Sequence, residues 1–263
     1  MIPYIPQPAF SLGFLTIYAF GVLVAIAILV GERMIQRFVR RHHLDPGTAT
    51  RLVSWILAGG FLGAHLVDRL VYHPSETLAR PWTLLEFWSG LSSFGGFLGA
   101  ITGAALLVRR ERLGASTWRY LDAVAYGFPF GWVFGRLGCF LAFDHPGLPT
   151  HFVLGQADVN GVVRHNLGLE EALYTVGLAA VFAWLGRRRY APGFFVGLLA
   201  LLYAPVRFAL DGLRVADVRY GGLTPGQFGA VALLVVGAVV LLRHARFENG
   251  GPGGDGDAIP SRG

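Results

Sequence analysis

The stretch Gly131–Gly147, GWVFGRLGCFLAFDHPG, sets one arginine among glycines and aromatics inside an otherwise apolar run. An ionised side chain near the middle of a bilayer costs about 2.5–3.5 kcal/mol on insertion scales, so Arg136 requires a partner: protein, water or an anionic ligand. Gly131, Gly135 and Gly138 fall at i, i+4 and i+7, which on a helix makes one smooth face for a neighbouring helix or a lipid chain. Asp144 and His145 close the run at its polar end.

Outward from this run the whole chain is apolar. Of 263 residues, 54% are hydrophobic and 14% charged, and the mean hydropathy is +0.52. A soluble globule needs more polar surface, so the composition predicts an all-α integral membrane protein. The net charge of +6 would ordinarily raise nucleic acid as a partner. All 22 basic residues are arginine, however, and they sit in short clusters between apolar runs, as topology signals do, so no nucleic-acid role is expected. Cys139 stands alone, which excludes an intramolecular disulfide or a cysteine metal cluster. The histidine spacings match no metal motif, and neither metal nor cofactor is expected. The first apolar stretch lacks a basic n-region and a cleavage site and reads as a retained span.

A spanning helix takes about 20 apolar residues. Seven segments qualify: Phe10–Val30, Leu52–Tyr72, Leu91–Val108, Tyr120–Phe143, Leu169–Leu185, Gly193–Leu210 and Pro225–Leu242. Arginine clusters follow the first, third, fifth and last of them, and these alternate loops share one side. By the positive-inside rule that side is the cytoplasm, giving an N-out, C-in chain. The predicted organisation is a transmembrane domain over 1–246 and a disordered cytoplasmic tail over 247–263. The outer loop near 144–168 holds three histidines, two prolines and turn glycines, so it is expected to form a structured periplasmic head.

Arg136, Arg207 and Arg214 lie in or at the outer ends of predicted spans, where a lone cation is costly and a bidentate phosphate partner is favoured. The plainer alternative pairs each with a carboxylate such as Asp144, Asp211 or Glu171 to hold helices together. His65 is the clearly intramembrane histidine, a general base or a packing residue, with Asp68 three residues along the same face. Gly95 and Gly96 open the third span, and Gly95, Gly99 and Gly103 form a small-residue stripe. Helix packing is the default reading; glycine N–H groups at a helix start can also receive an anion. A channel or transporter is disfavoured, because no chain of polar residues crosses the spans.

Taken together these motifs resemble the prolipoprotein diacylglyceryl transferases. Leu121–Phe140, LDAVAYGFPFGWVFGRLGCF, is similar to that family's signature, with Gly135, Arg136, Gly138 and Phe140 matching and Asp144 where the family carries glutamate. SSFGGFLGA, HNLGLEEAL, RFALDGLRVAD and LTPGQ follow in the family's order. Tyr18 matches a first-span tyrosine, whereas Phe14, Phe94, Cys139 and Glu170 depart from the family's tyrosine, histidine, asparagine and tyrosine. The resemblance implies transfer of the diacylglyceryl group of phosphatidylglycerol to the lipobox cysteine of a prolipoprotein, with release of glycerol 1-phosphate. It implies a place in the bacterial cytoplasmic (inner) membrane. Read together with the residues above, Arg136, Arg207, His65 and Asp144 are expected to be catalytic, with Arg214, Tyr18, Gly95, Gly96, Gly138 and Glu171 adding to the substrate site. His65 or His145 would stand in for the absent histidine. The departures leave open a paralogue that binds phospholipid without thiol transfer.

Overall fold

The computed structural model describes residues 1–13, 15–86, 90–144, 146–215 and 219–249. Phe14, His145, Asp217 and the tail from residue 250 lie outside the described residues. Among the described residues seven helices of at least 19 residues form the body: α1 (Ala19–Arg41), α2 (Pro46–Val67), α4 (Ser93–Glu111), α5 (Thr117–Ala142), α6 (Leu167–Leu185), α7 (Phe194–Gly212) and α8 (Pro225–Asn249), with a short α3 (Pro74–Ala79) between α2 and α4. Six of them are long and apolar enough to cross a membrane; α4 is the one that is not. Its sequence spends Gly95, Gly96, Gly99 and Gly103 on close packing rather than on apolar side chains, which lowers its mean hydropathy.

The first segment departs from expectation. Residues 10–18 do not continue the first helix: β1 (Ala9–Leu12) and β2 (Leu15–Tyr18) pair antiparallel, with Phe10 opposite Ile17 and Ser11 opposite Thr16. Gly13, at φ 59°, opens the turn, a conformation that glycine reaches without a Cβ penalty. Tyr18 therefore stands ahead of α1 as its extended N-cap residue, 51% exposed, rather than inside a span.

Local signals set the other helix starts. Asp45 accepts from the Thr48 N–H at 2.7 Å, with Pro46 at the first helical position of α2. Ser92 caps α4 by accepting from Gly95 N at 3.3 Å, and Asn166 caps α6 by accepting from Leu169 N at 3.0 Å. Thr224 and Gln227 bond reciprocally at the start of α8, Thr224 N to Gln227 Oε1 at 3.0 Å and Gln227 N to Thr224 Oγ1 at 3.1 Å, a capping box. The start of α7 is capped from another helix: Asp122 of α5, buried, accepts from Gly193 N at 2.6 Å and Val196 N at 3.0 Å.

The helices pack as α1 on α5, α2 on α4, α5 on α6 and α7, and α7 on α8. On the α2–α4 seam a Cβ at Gly99 would lie 3.0 Å from Gly63 Cα, and one at Gly63 would lie 2.8 Å from Gly99 Cα. The glycine stripe of α4 thus fits glycines of α2, as a small-residue interface requires. The buried core gathers toward the end of the bundle that carries the loop after α1. There Phe38, Tyr126 and Phe182 surround Phe195 at centroid distances of 5.4–5.5 Å. Large apolar side chains such as Leu29, Phe61, Phe97, Ile101 and Val176 point outward, the inverse of a soluble surface and the pattern that lipid contact calls for.

At the opposite end, residues 146–166 form a three-stranded antiparallel sheet in the order β3 (Pro146–Pro149), β5 (Val163–Asn166), β4 (Gln156–Ala157). Ile2, near the start of the chain, makes an isolated parallel bridge to Gln156, and Leu148 N donates to Leu213 O at 2.9 Å. The sheet is thereby tied both to the start of the chain and to the end of α7.

Candidate functional site

The candidate site lies under this sheet, where the last turns of α5 and α7 meet the first turn of α6. A Cβ on Gly168 would lie 2.6 Å from Phe140 N, so glycine is what lets α6 begin against the backbone of α5. That closeness brings Glu171 into the bundle, 1% exposed and between two arginines. Arg136 Nε lies 2.9 Å from Glu171 Oε1, and Arg207 Nη1 donates to Glu171 Oε2 at 3.2 Å. Arg207 Nη2 donates to Asp211 Oδ1 at 2.8 Å, one helical turn further along α7, and Arg214 Nη1 lies 3.6 Å from the same oxygen.

Each carboxylate is held by neutral donors as well. Trp132 Nε1 donates to Glu171 Oε1 at 3.0 Å and to Tyr203 Oη at 3.1 Å, and the Tyr203 hydroxyl donates to Glu171 Oε1. The Trp132 ring also lies under the Arg136 guanidinium, 4.4 Å from the ring centroid, a cation–π contact. Asp211, 1% exposed, accepts from the Thr224 hydroxyl on its second oxygen. The capping box of α8 therefore faces the site. Burying two carboxylates is unfavourable unless their lone pairs are filled, and here cations and neutral donors fill them.

The charged groups surround a cavity of about 10 Å³, the room of roughly one water, with Leu167, Gly168 and Leu210 completing its wall. Among the described residues that line it, three guanidinium groups face two carboxylates, an excess of one positive charge in the lining. That balance suits a singly charged anion, and bidentate guanidinium geometry suits phosphate oxygens.

Of the residues singled out from the sequence, Arg136, Arg207, Arg214 and Glu171 come together here. The others stand elsewhere. His65 is fully buried within α2, its Nε2 3.1 Å from the Leu84 carbonyl, and does not line the cavity. Asp68 lies 3.5 Å from His73 and 3.9 Å from Arg69, on a π-helical turn (Asp68–Tyr72) that extends α2. The N–H groups of Gly95 and Gly96 bond to Ser92, through its hydroxyl and its carbonyl, so both are already engaged. Gly138 packs on α1, where its Cβ position would be 3.0 Å from the Phe20 ring. Asp144 is exposed, just past the left-handed cap Phe143 that ends α5. Cys139 Sγ lies 3.7 Å from Arg136 Nη1.

Sequence reasoning missed Trp132, Tyr203, Thr224 and Asp122. The Thr-Pro-Gly-Gln run carried a readable signal, since a hydroxyl residue followed by proline and, three positions on, glutamine marks a capped helix start. Trp132 and Tyr203 carried none, because aromatics within an apolar run look the same whether they face lipid or a buried carboxylate.

Known proteins with this pattern can now be compared. The family model for prolipoprotein diacylglyceryl transferase matches residues 7–243. The chain is similar to the phosphatidylglycerol–prolipoprotein diacylglyceryl transferase of Janthinobacterium sp. (strain Marseille), 32% identical over 253 residues, covering 90% of this chain and 95% of that one. It is similar to the proteins of the same name from Campylobacter hominis, 30% identical over 91% of this chain and 92% of that one, and from Cereibacter sphaeroides strain ATCC 17029, 30% identical over 92% and 99%.

Proposed function

Since the chain belongs to the prolipoprotein diacylglyceryl transferase family, a family of transferases, we propose that its arginine cavity binds the phosphate of phosphatidylglycerol and carries diacylglyceryl transfer to a lipobox cysteine. The observation that carries this is the clustering of Arg136, Arg207 and Arg214 around a cavity with one net positive charge at the head end of the bundle. A phosphodiester brings one negative charge and neutralises it. Its entry requires the guanidinium groups to turn partly from Glu171 and Asp211 toward the lipid, and the carboxylates keep them poised near one another until it arrives.

In the reaction the acceptor thiolate attacks the glyceryl carbon bonded to the phosphate oxygen. A sulfur–carbon bond forms as the carbon–oxygen bond breaks, and glycerol 1-phosphate leaves. Charge grows on that oxygen in the transition state, where prearranged guanidinium groups contribute most. Orientation follows the arginine distribution: with the loops after α1, α4 and α6 in the cytoplasm, the cavity and sheet face the periplasm of a bacterial inner membrane, and α4 serves as the seventh span. The lipid enters sideways from the bilayer and the peptide from above.

The test is transfer from labelled phosphatidylglycerol to a synthetic lipobox peptide by the purified protein beside Arg136→Ala. Transfer that depends on Arg136 is expected. Lipid retained through Arg136 without any thioether product would overturn the transferase reading.

A further inference from the structure

A second pair of groups brackets the cavity-lining Leu167 and Gly168 along the chain and takes no part in the arginine network. His165 Nδ1 lies 2.7 Å from Glu170 Oε1, with the two side chains 21% and 13% exposed. A carboxylate has no proton to give, so the ring nitrogen carries the hydrogen and donates. That tautomer leaves the lone pair on Nε2, and among the described residues no polar group holds it. Phe152 stacks on the imidazole at 5.9 Å with 28° between the planes, which restricts its rotation.

The position is set by the chain. His165 belongs to β5, and Leu167 and Gly168, which follow it, line the cavity. Glu170 precedes Glu171, the carboxylate shared by Arg136 and Arg207. Gly147, whose backbone bridges to Arg214, runs so near that a Cβ on it would lie 2.7 Å from that of His165. Among the described residues, His65 is buried with Nε2 against a carbonyl, His73 is held by Asp68, His42 and His43 lie between α1 and α2 at the far end, and His151 is exposed in the loop after β3. Phe94 carries no proton acceptor.

We propose that His165, oriented by Glu170, is the general base that deprotonates the acceptor thiol; this rests on the transferase reading above. The S–H proton passes to Nε2, and Glu170 stabilises the imidazolium. The thiolate then displaces the phosphate from the glyceryl carbon, the electron pair departing on the phosphate oxygen. The imidazolium returns its proton to the released phosphate monoester, so the histidine ends as it began.

The experiment measures kcat/KM for transfer to the lipobox peptide across roughly pH 5–9, with lipid retention measured in parallel. Wild type is expected to show a limb that rises as one group deprotonates. His165→Gln and His165→Ala should lose that limb and fall about 10²–10⁴-fold while retaining phosphatidylglycerol, and added imidazole should restore part of the rate to His165→Ala. Glu170→Gln should lower kcat while leaving phosphatidylglycerol retention unchanged, and Glu170→Asp should restore part of the rate. A purely structural role predicts neither imidazole rescue nor a loss confined to kcat. Wild type that transfers, with His165→Gln keeping its rate and limb, overturns the proposal. If the His165 variants do not fold, a Glu170→Gln kcat identical to wild type overturns it. Wild type that binds lipid without transfer overturns the reading beneath it instead, and the base with it.

Discussion

At the head end Arg136, Arg207 and Arg214 enclose Glu171 and Asp211, both carboxylates 1% exposed. At the other end of the bundle Arg51 reaches Glu111 at 2.5 Å beside the Asp45 cap of α2, and the Arg51 side chain is 52% exposed. The residue types are the same, but solvent screens one cluster and not the other. Exposed pairs are satisfied by water as readily as by each other, so they fasten α2 to α4 only loosely. Buried charges cannot fall back on water, so the head cluster is stable only while it is complete.

The sharpest way to break this contrast is Arg136→Ala, expected to lower transfer about 10³-fold, as the loss of one oxyanion donor does, in the labelled-lipid assay. Wild-type rates from that variant would show that the cavity is only a fastening. Next is Glu171→Gln, which leaves two arginines without a shared anion. A loss of about 3–5 kcal/mol is expected, read as a lower melting midpoint in detergent. Gly99→Ala should cost about 1–3 kcal/mol by forcing α2 and α4 apart, with the defect confined to stability while the arginine site persists.

The smallest effect belongs to the exposed cluster. Hydrogen bonds from the Thr48 hydroxyl and N–H hold the Asp45 carboxyl below its usual value, and a hydrogen bond from Arg51 does the same for Glu111. A lowered folded-state pKa stabilises above the ordinary carboxylate range of about 4 and is lost as pH falls through the lowered value. Arg51→Ala should therefore narrow the acid side of the stability profile slightly and leave transfer unchanged. Melting curves between about pH 3 and 7 would check the first, and the transfer assay the second.

Much of this was legible in the sequence for identifiable reasons. Long apolar runs gave the helices, and the cost of a cation in lipid singled out Arg136, Arg207 and Arg214. The two explanations weighed for these arginines, internal carboxylate partners and an anion site, share one geometry: Glu171 and Asp211 pair with them and a positive charge is still left over. The hairpin strands within Ala9–Tyr18 were hidden because a mostly apolar stretch before a helix looks like more helix. His65 was singled out for its depth; it is fully buried in α2 with Nε2 at the Leu84 carbonyl, apart from the residues that line the arginine cavity. The His165–Glu170 pair joins residues five apart across a strand-to-helix junction, a contact that no helical or strand periodicity displays.

Asp122 has a consequence beyond capping. Its carboxylate fixes the beginning of α7 to one point on α5, and the two helices run in the same direction from there. Arg136 stands fourteen residues beyond Asp122, and Arg207 fourteen beyond Gly193. At 1.5 Å per residue both guanidinium-bearing positions lie about 21 Å from the shared pin, at matching depth in the bilayer. The pin and the equal counts work as a ruler: the chain measures the same length twice, and the single glutamate between the arginines can reach both because the two measurements agree.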